Sequence, residues 1–178
     1  MSTAIVLLVT AAALLFLIHA ARGGGPRATT PEELRKLTTA IDLAAFRNLI
    51  SPQEDSYLKA QLPAVDFRRV HRARRQAALE YVKIVARNAG ILLRMAESGR
   101  TSPDPVVAAV AQELVNSALQ LRMHALLGMT RLYIGIRFPQ FDFHRAGIVD
   151  RYESLTERVV YFVSVNHPKQ TSAVSASL

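Results

Sequence analysis

Residues 105–138 read PVVAAVAQELVNSALQLRMHALLGMTRLYIGIRF, and this stretch decides the fold. Ala111, Leu114, Ala118, Leu121, Ala125, Gly128, Leu132 and Gly135 recur every three or four residues, the spacing of one helical face. Small residues one or two turns apart let a neighbouring helix come close. Ser102-Pro103-Asp104-Pro105 turns the chain before this helix, and Pro139 ends it, because proline cannot continue the hydrogen-bond ladder. Upstream, a second long helix is predicted from about Asp66 to Ser98. Its apolar seam reads Val70, Ala73, Ala77, Tyr81, Ile84, Asn88, Ile91 and Met95. Gly90 lowers its propensity without breaking it, and Gly99 supplies a stop. Two helices joined by a short turn predict an antiparallel hairpin about 50 Å long.

Shorter elements flank the hairpin. Thr30-Pro31-Glu32-Glu33 and Ser51-Pro52-Gln53-Glu54 share a helix-start grammar of cap, proline and acid. They predict helices over about 31–48 and from 52 to just before Pro63. A last helix is expected from Gly147 to Ser164, with Ile148, Tyr152, Leu155, Val159 and Phe162 as its seam. Val159 to Val165 also suits a strand, but no second strand candidate exists to pair with it. The expected fold class is therefore all-α: a bundle over residues 31–166 built on the long hairpin. Residues 167–178, rich in Ser and Ala, read as a disordered tail.

At the other end, residues 3–21 (TAIVLLVTAAALLFLIHAA) contain no Asp, Glu, Lys or Arg. Such a helix reaches about 28 Å, enough for the hydrocarbon core of a bilayer. No Lys or Arg precedes it, and cutting after Ala20 or Ala21 places Ile18 or His19 where a signal peptidase needs a small residue. Residues 1–21 thus read as an uncleaved transmembrane signal-anchor and 22–30 as a Gly/Pro tether. Arg22 and Arg27 on the C-terminal flank place the bundle in the cytoplasm. The chain has no Cys, which removes disulfides, thiolate chemistry and cysteine metal sites.

Charge is unevenly spread. The net charge is +8. Residues 66–100 hold nine Lys or Arg against three Asp or Glu, whereas residues 101–178 hold seven against six. The focus is Phe67-Arg68-Arg69-Val70-His71-Arg72-Ala73-Arg74-Arg75. Cations at a helix N-terminus oppose the macrodipole, so local helix stability does not explain them. A solvated face with scattered ion pairs to Asp55, Glu80 or the last helix is the plain reading. The functional reading makes Arg68, Arg69, Arg72, Arg74 and Arg75 a partner- or lipid-binding face, since each cation near an anionic bilayer is worth about 1 kcal/mol. Nucleic acid is disfavoured, because no stacking platform or Gly-rich clamp accompanies the arginines. Asn88 in the predicted seam reads as a buried register-setting amide.

No catalytic motif emerges. His19, His71, His124, His144 and His167 form no helical ligand pair, and no Glu-x-x-His, phosphate-cradling loop or nucleophile elbow occurs. No metal, cofactor or catalytic residue is assigned. The expected function is a membrane-tethered, non-enzymatic adaptor whose basic face meets anionic lipid or an acidic protein. Two alternatives stand beside it. One is a self-assembling structural subunit of a membrane complex, suggested by the Ala/Gly seam. The other is an enzyme or small-ligand-binding bundle, which requires a concave site where His71, His124, His144, Glu80 or Glu113 converge.

Overall fold

The computed structural model describes residues 31–137 and 148–166, which hold six helices. They are α1 (Pro31–Leu37), α2 (Leu43–Ile50), α3 (Pro52–Gln61), α4 (Ala64–Gly99), α5 (Pro105–Arg137) and α6 (Ile148–Asn166). Helices α4 and α5 form the expected long antiparallel hairpin. Its register is constant along its length: Arg75 lies against Gly135, Val82 against Gly128, Gly90 against Arg122 and Gly99 against Ala111. Helix α6 lies along this pair antiparallel to α5, with Ile148 at Gly128 and Phe162 at Gly99. Helices α1, α2 and α3 pack against α4.

The α5 and α6 seams follow the predicted residues. Ala111, Leu114, Ala118, Leu121, Ala125, Leu132 and Gly135 are buried in α5, as are Ile148, Tyr152, Leu155, Val159 and Phe162 in α6. The α4 seam follows them only in its second half, where Asn88, Ile91 and Met95 are buried. Its buried line is Arg75, Ala78, Val82, Val85, Ala89, Leu92, Ala96 and Gly99, a heptad-like alternation of three and four. Of the predicted residues, Ala73 is exposed and Val70, Ala77, Tyr81 and Ile84 are half-buried. Gly99 also serves differently: a Cβ there would lie 2.8 Å from Phe162 Cζ and 3.0 Å from Ala111 Cβ. Close approach, not a left-handed cap, requires this glycine.

The predicted helix over 31–48 is two helices. Asn88, fully buried on α4, pairs with both backbone polar groups of Thr39. Thr39 N–H donates to Asn88 Oδ1 at 3.1 Å, and Asn88 Nδ2 donates to Thr39 O at 2.7 Å. Nδ2 also donates to Tyr152 Oη at 2.8 Å, so Asn88 ties the α1–α2 link to α6. Asp42 restarts the helix by accepting from Ala45 N–H at 2.9 Å. Ser51 caps α3 as expected, accepting from Glu54 N–H. The Thr30 cap lies outside the described residues. Phe46 on α2 stacks on Tyr81 at 5.3 Å between ring centroids. Tyr133 and Tyr161 are 69% and 59% exposed.

The membrane architecture requires correction. Among the described residues no helix is long and apolar enough to cross a membrane. Charges recur through all three long helices, as at Arg87 and Arg94 in α4, Glu113 and Arg131 in α5, and Arg151 and Glu157 in α6. The described residues form an all-α six-helix bundle with no span among them, and single-pass membrane localisation with a cytoplasmic bundle is not supported. The expected anchor at 1–21, the tether at 22–30 and the tail at 167–178 lie outside the described residues.

Candidate functional site

A helix leaves its last four carbonyls without intrahelical donors, and its C-terminus carries partial negative charge. Three arginines of α4 serve such ends. Arg87 Nη2 donates to Leu37 O of α1 at 3.3 Å. Arg74 Nη2 donates to Asn48 O of α2 at 2.7 Å, while its Nε pairs with Asp55 Oδ1 of α3 at 3.2 Å. Arg75 Nη1 donates to Gly135 O of α5. Of the five arginines near the start of α4, Arg74 and Arg75 therefore sit beside the negative ends of other helices.

Arg75 is the unusual member. It is 3% exposed, and no carboxylate pairs with it among the described residues. Its Nε is buried without a hydrogen-bond partner there. Burying a cation without a carboxylate partner is expensive, because desolvation disfavours charge and the hydrogen bond to Gly135 O at the negative end of α5 offsets only part of it. The side chain fits because Gly135 has no Cβ; one placed there would lie 2.9 Å from Nη1 and 3.3 Å from Cζ. The missing Cβ at Gly135 thus lets the guanidinium lie against the last turn of α5.

This guanidinium opens on a pocket of about 600 Å³ between the start of α4 and the end of α5. Arg68, Arg69 and Arg72 stand around it, all exposed and without ion pairs among the described residues. His71 lies at the same wall, stacked on Phe67 at 5.3 Å, with Nδ1 3.4 Å from Asp55 Oδ2. That distance suits an ion pair when the ring is protonated, but no aligned hydrogen bond forms. Four of the five predicted site arginines therefore converge, and Arg74 is turned away into structural contacts. Sequence reading missed Gln76, Gly135 and Ile136, which complete the wall. The signal for Gly135 was present, as a seam position where something must approach closely. Arg75 is among the predicted site residues, but its burial is not legible in the sequence, where a charged residue reads as surface.

Other candidates are dispersed. Glu80 pairs with Lys83 at 2.7 Å, Glu113 meets Arg158, and His124 Nδ1 contacts its own helix at Gln120 O. His144 lies outside the described residues. The convergence of these groups expected of an enzyme or small-ligand-binding bundle does not occur among the described residues, and no group of three metal-ligating side chains is found there. Asp150 and Glu153 pair with Arg47 on α2 rather than with the basic stretch of α4; the Glu153 hydrogen bond and charge raise the Arg47 pKa further above its ordinary value. Burial lowers the Arg122 pKa, and the Arg94 charge adds to this.

The membrane-tethered adaptor is corrected on these grounds. With Arg74 and Arg75 turned inward, the five arginines do not make one outward face, and no helix among the described residues is long and apolar enough to cross a membrane. The bundle gives no basis for anionic membrane lipid as a partner and identifies no surface for an acidic protein. No protein-family model matches the chain, and neither a curated protein nor a solved structure matches it significantly.

Proposed function

We propose that this chain is a small-ligand-binding helical bundle, a non-enzymatic binder of anions at the Arg75 pocket. One observation carries the reading: a guanidinium 97% buried by its 3% exposure, with an unpartnered Nε, at the wall of a pocket ringed by further arginines. An anion would supply the missing acceptor where desolvation makes a charge-assisted hydrogen bond strongest. Arg68 and Arg72 would draw it in, and Arg75 would fix it. The plain competitor is that Arg75 only caps α5. Capping accounts for Nη1 and leaves Nε unexplained.

The test is thermal unfolding with sodium acetate or phosphate against sodium chloride at matched ionic strength. A bound anion at ten times its dissociation constant should raise Tm by about 3–5 °C. The double variant Arg68→Gln/Arg72→Gln, whose exposed positions spare the core, should bind more weakly. Equal Tm in every salt would sink the proposal.

A further inference from the structure

The pocket does not end at the arginines. It shares Gln76 and Ile136 with a trough that continues between α4 and α5, and that trough shares Leu79, Tyr133 and Arg137 with a third. Their apolar lining includes Ala77, Leu79, Met129, Tyr133, Ile134 and Ile136. The three form one groove following the hairpin register, cationic at one end and apolar along its length. Glu80 and Lys83 stand at its lip already paired with each other. Tyr133 is 69% exposed and Ile134 38%. Large apolar side chains displayed beside a groove are worth an explanation, whereas scattered ones are not.

We infer, resting on the anion-binding reading, that the ligand is a linear aliphatic monocarboxylate with its head at Arg75 and its chain in this groove. Charge complementarity fixes the head. Nη1 is spent on Gly135 O, which leaves the Nε–Nη2 edge, two parallel donors that match the two oxygens of a carboxylate. Nε is shut off from solvent, so an incoming oxygen must displace the rim to reach it. Arg68 and Arg72 are exposed long side chains that reorient in picoseconds to nanoseconds. The groove fixes the tail. From Ile136 to Met129 the helix advances about 10 Å, room for an extended chain of about eight carbons.

Calorimetric titration of the full chain with acetate, butanoate, octanoate and 1-octanol tests this. In a half-open groove each methylene should tighten binding about twofold, so octanoate should bind roughly tenfold to twentyfold tighter than butanoate. The alcohol, lacking the charge, should bind at least about tenfold more weakly than octanoate. Tyr133→Ser, at an exposed position, should flatten the chain-length series while leaving acetate unchanged. Affinity independent of chain length overturns the inference and leaves the anion site standing. No binding of any carboxylate overturns both. A dimer in sedimentation that Tyr133→Ser converts to monomer also overturns it, because the groove then belongs to a second copy.

Discussion

Asn88 shows how one side chain determines what its neighbours' sequences leave open. Nothing in Thr38-Thr39-Ala40-Ile41 forbids helix, and Thr38 still bonds back to Leu34 O at 2.8 Å. The break exists because a buried amide 49 residues away pairs with both backbone polar groups of one residue, Thr39. Asn88→Ala would strand Thr39 N–H, Thr39 C=O and the Tyr152 hydroxyl together. We expect a loss of about 2–4 kcal/mol in urea unfolding; a change under 1 kcal/mol would mean the link is held by something else. Tyr152 gives a pH signature at the same site. Burial raises its pKa above the ordinary 10.0, with the Asn88 hydrogen bond opposing in part. The fold therefore keeps a proton that the unfolded chain releases near pH 10. Above that pH the unfolded state binds fewer protons, so this contribution is complete below pH 10 and is lost as pH climbs through the folded value. Tyr152→Phe should cost about 1 kcal/mol at neutral pH and show a shallower alkaline decline; parallel declines would exclude Tyr152 as the titrating group.

At the scale of elements, seams composed only of apolar and small residues were legible, and a seam opened by a charge was not. The lines of α5 and α6 contain no ionisable group except the Tyr152 hydroxyl, so their spacing alone assigns the buried face. In α4, excluding Arg75 shifted the predicted stripe onto Ala73, which is exposed. The five-arginine stretch was visible as a cluster, but its division into capping and pocket-lining members depends on where α2, α3 and α5 end. No local pattern encodes that. The hairpin's glycines divide in a similar way. A Cβ on Gly90 meets only the flexible end of Arg122, at 2.8 Å, whereas one on Gly99 meets the Phe162 ring and Ala111. Gly90→Ala in the helix interior gains up to about 1 kcal/mol of propensity and should be neutral or stabilising. Gly99→Ala gains little at a helix end and should lose about 1–3 kcal/mol through overpacking. Paired thermal melts decide, and the reverse order would contradict the packing described at α6.

For the whole molecule, a net charge of +8 is concentrated where the start of α4 meets the end of α5. The negative end of the α5 dipole offsets part of that charge, and three capping contacts anchor shorter and longer helices to α4. One guanidinium exceeds what capping needs. If burial of Arg75 serves binding, the ligand-free fold carries a cost that a merely structural residue would not retain, the pattern in which stability is exchanged for a functional site. Arg75→Met keeps the apolar stem, removes the desolvated charge and gives up one hydrogen bond to Gly135 O. Buried charges replaced by apolar groups of similar volume are often neutral or stabilising, while a lost hydrogen bond from a charged donor costs about 1.5–3 kcal/mol. The two nearly cancel, so the variant should unfold within about 1 kcal/mol of the parent in chloride. It should show none of the parent's stabilisation by acetate or octanoate. A variant several kcal/mol less stable, with parent-like anion response, would identify Arg75 as a cap alone and return its pocket to the solvent.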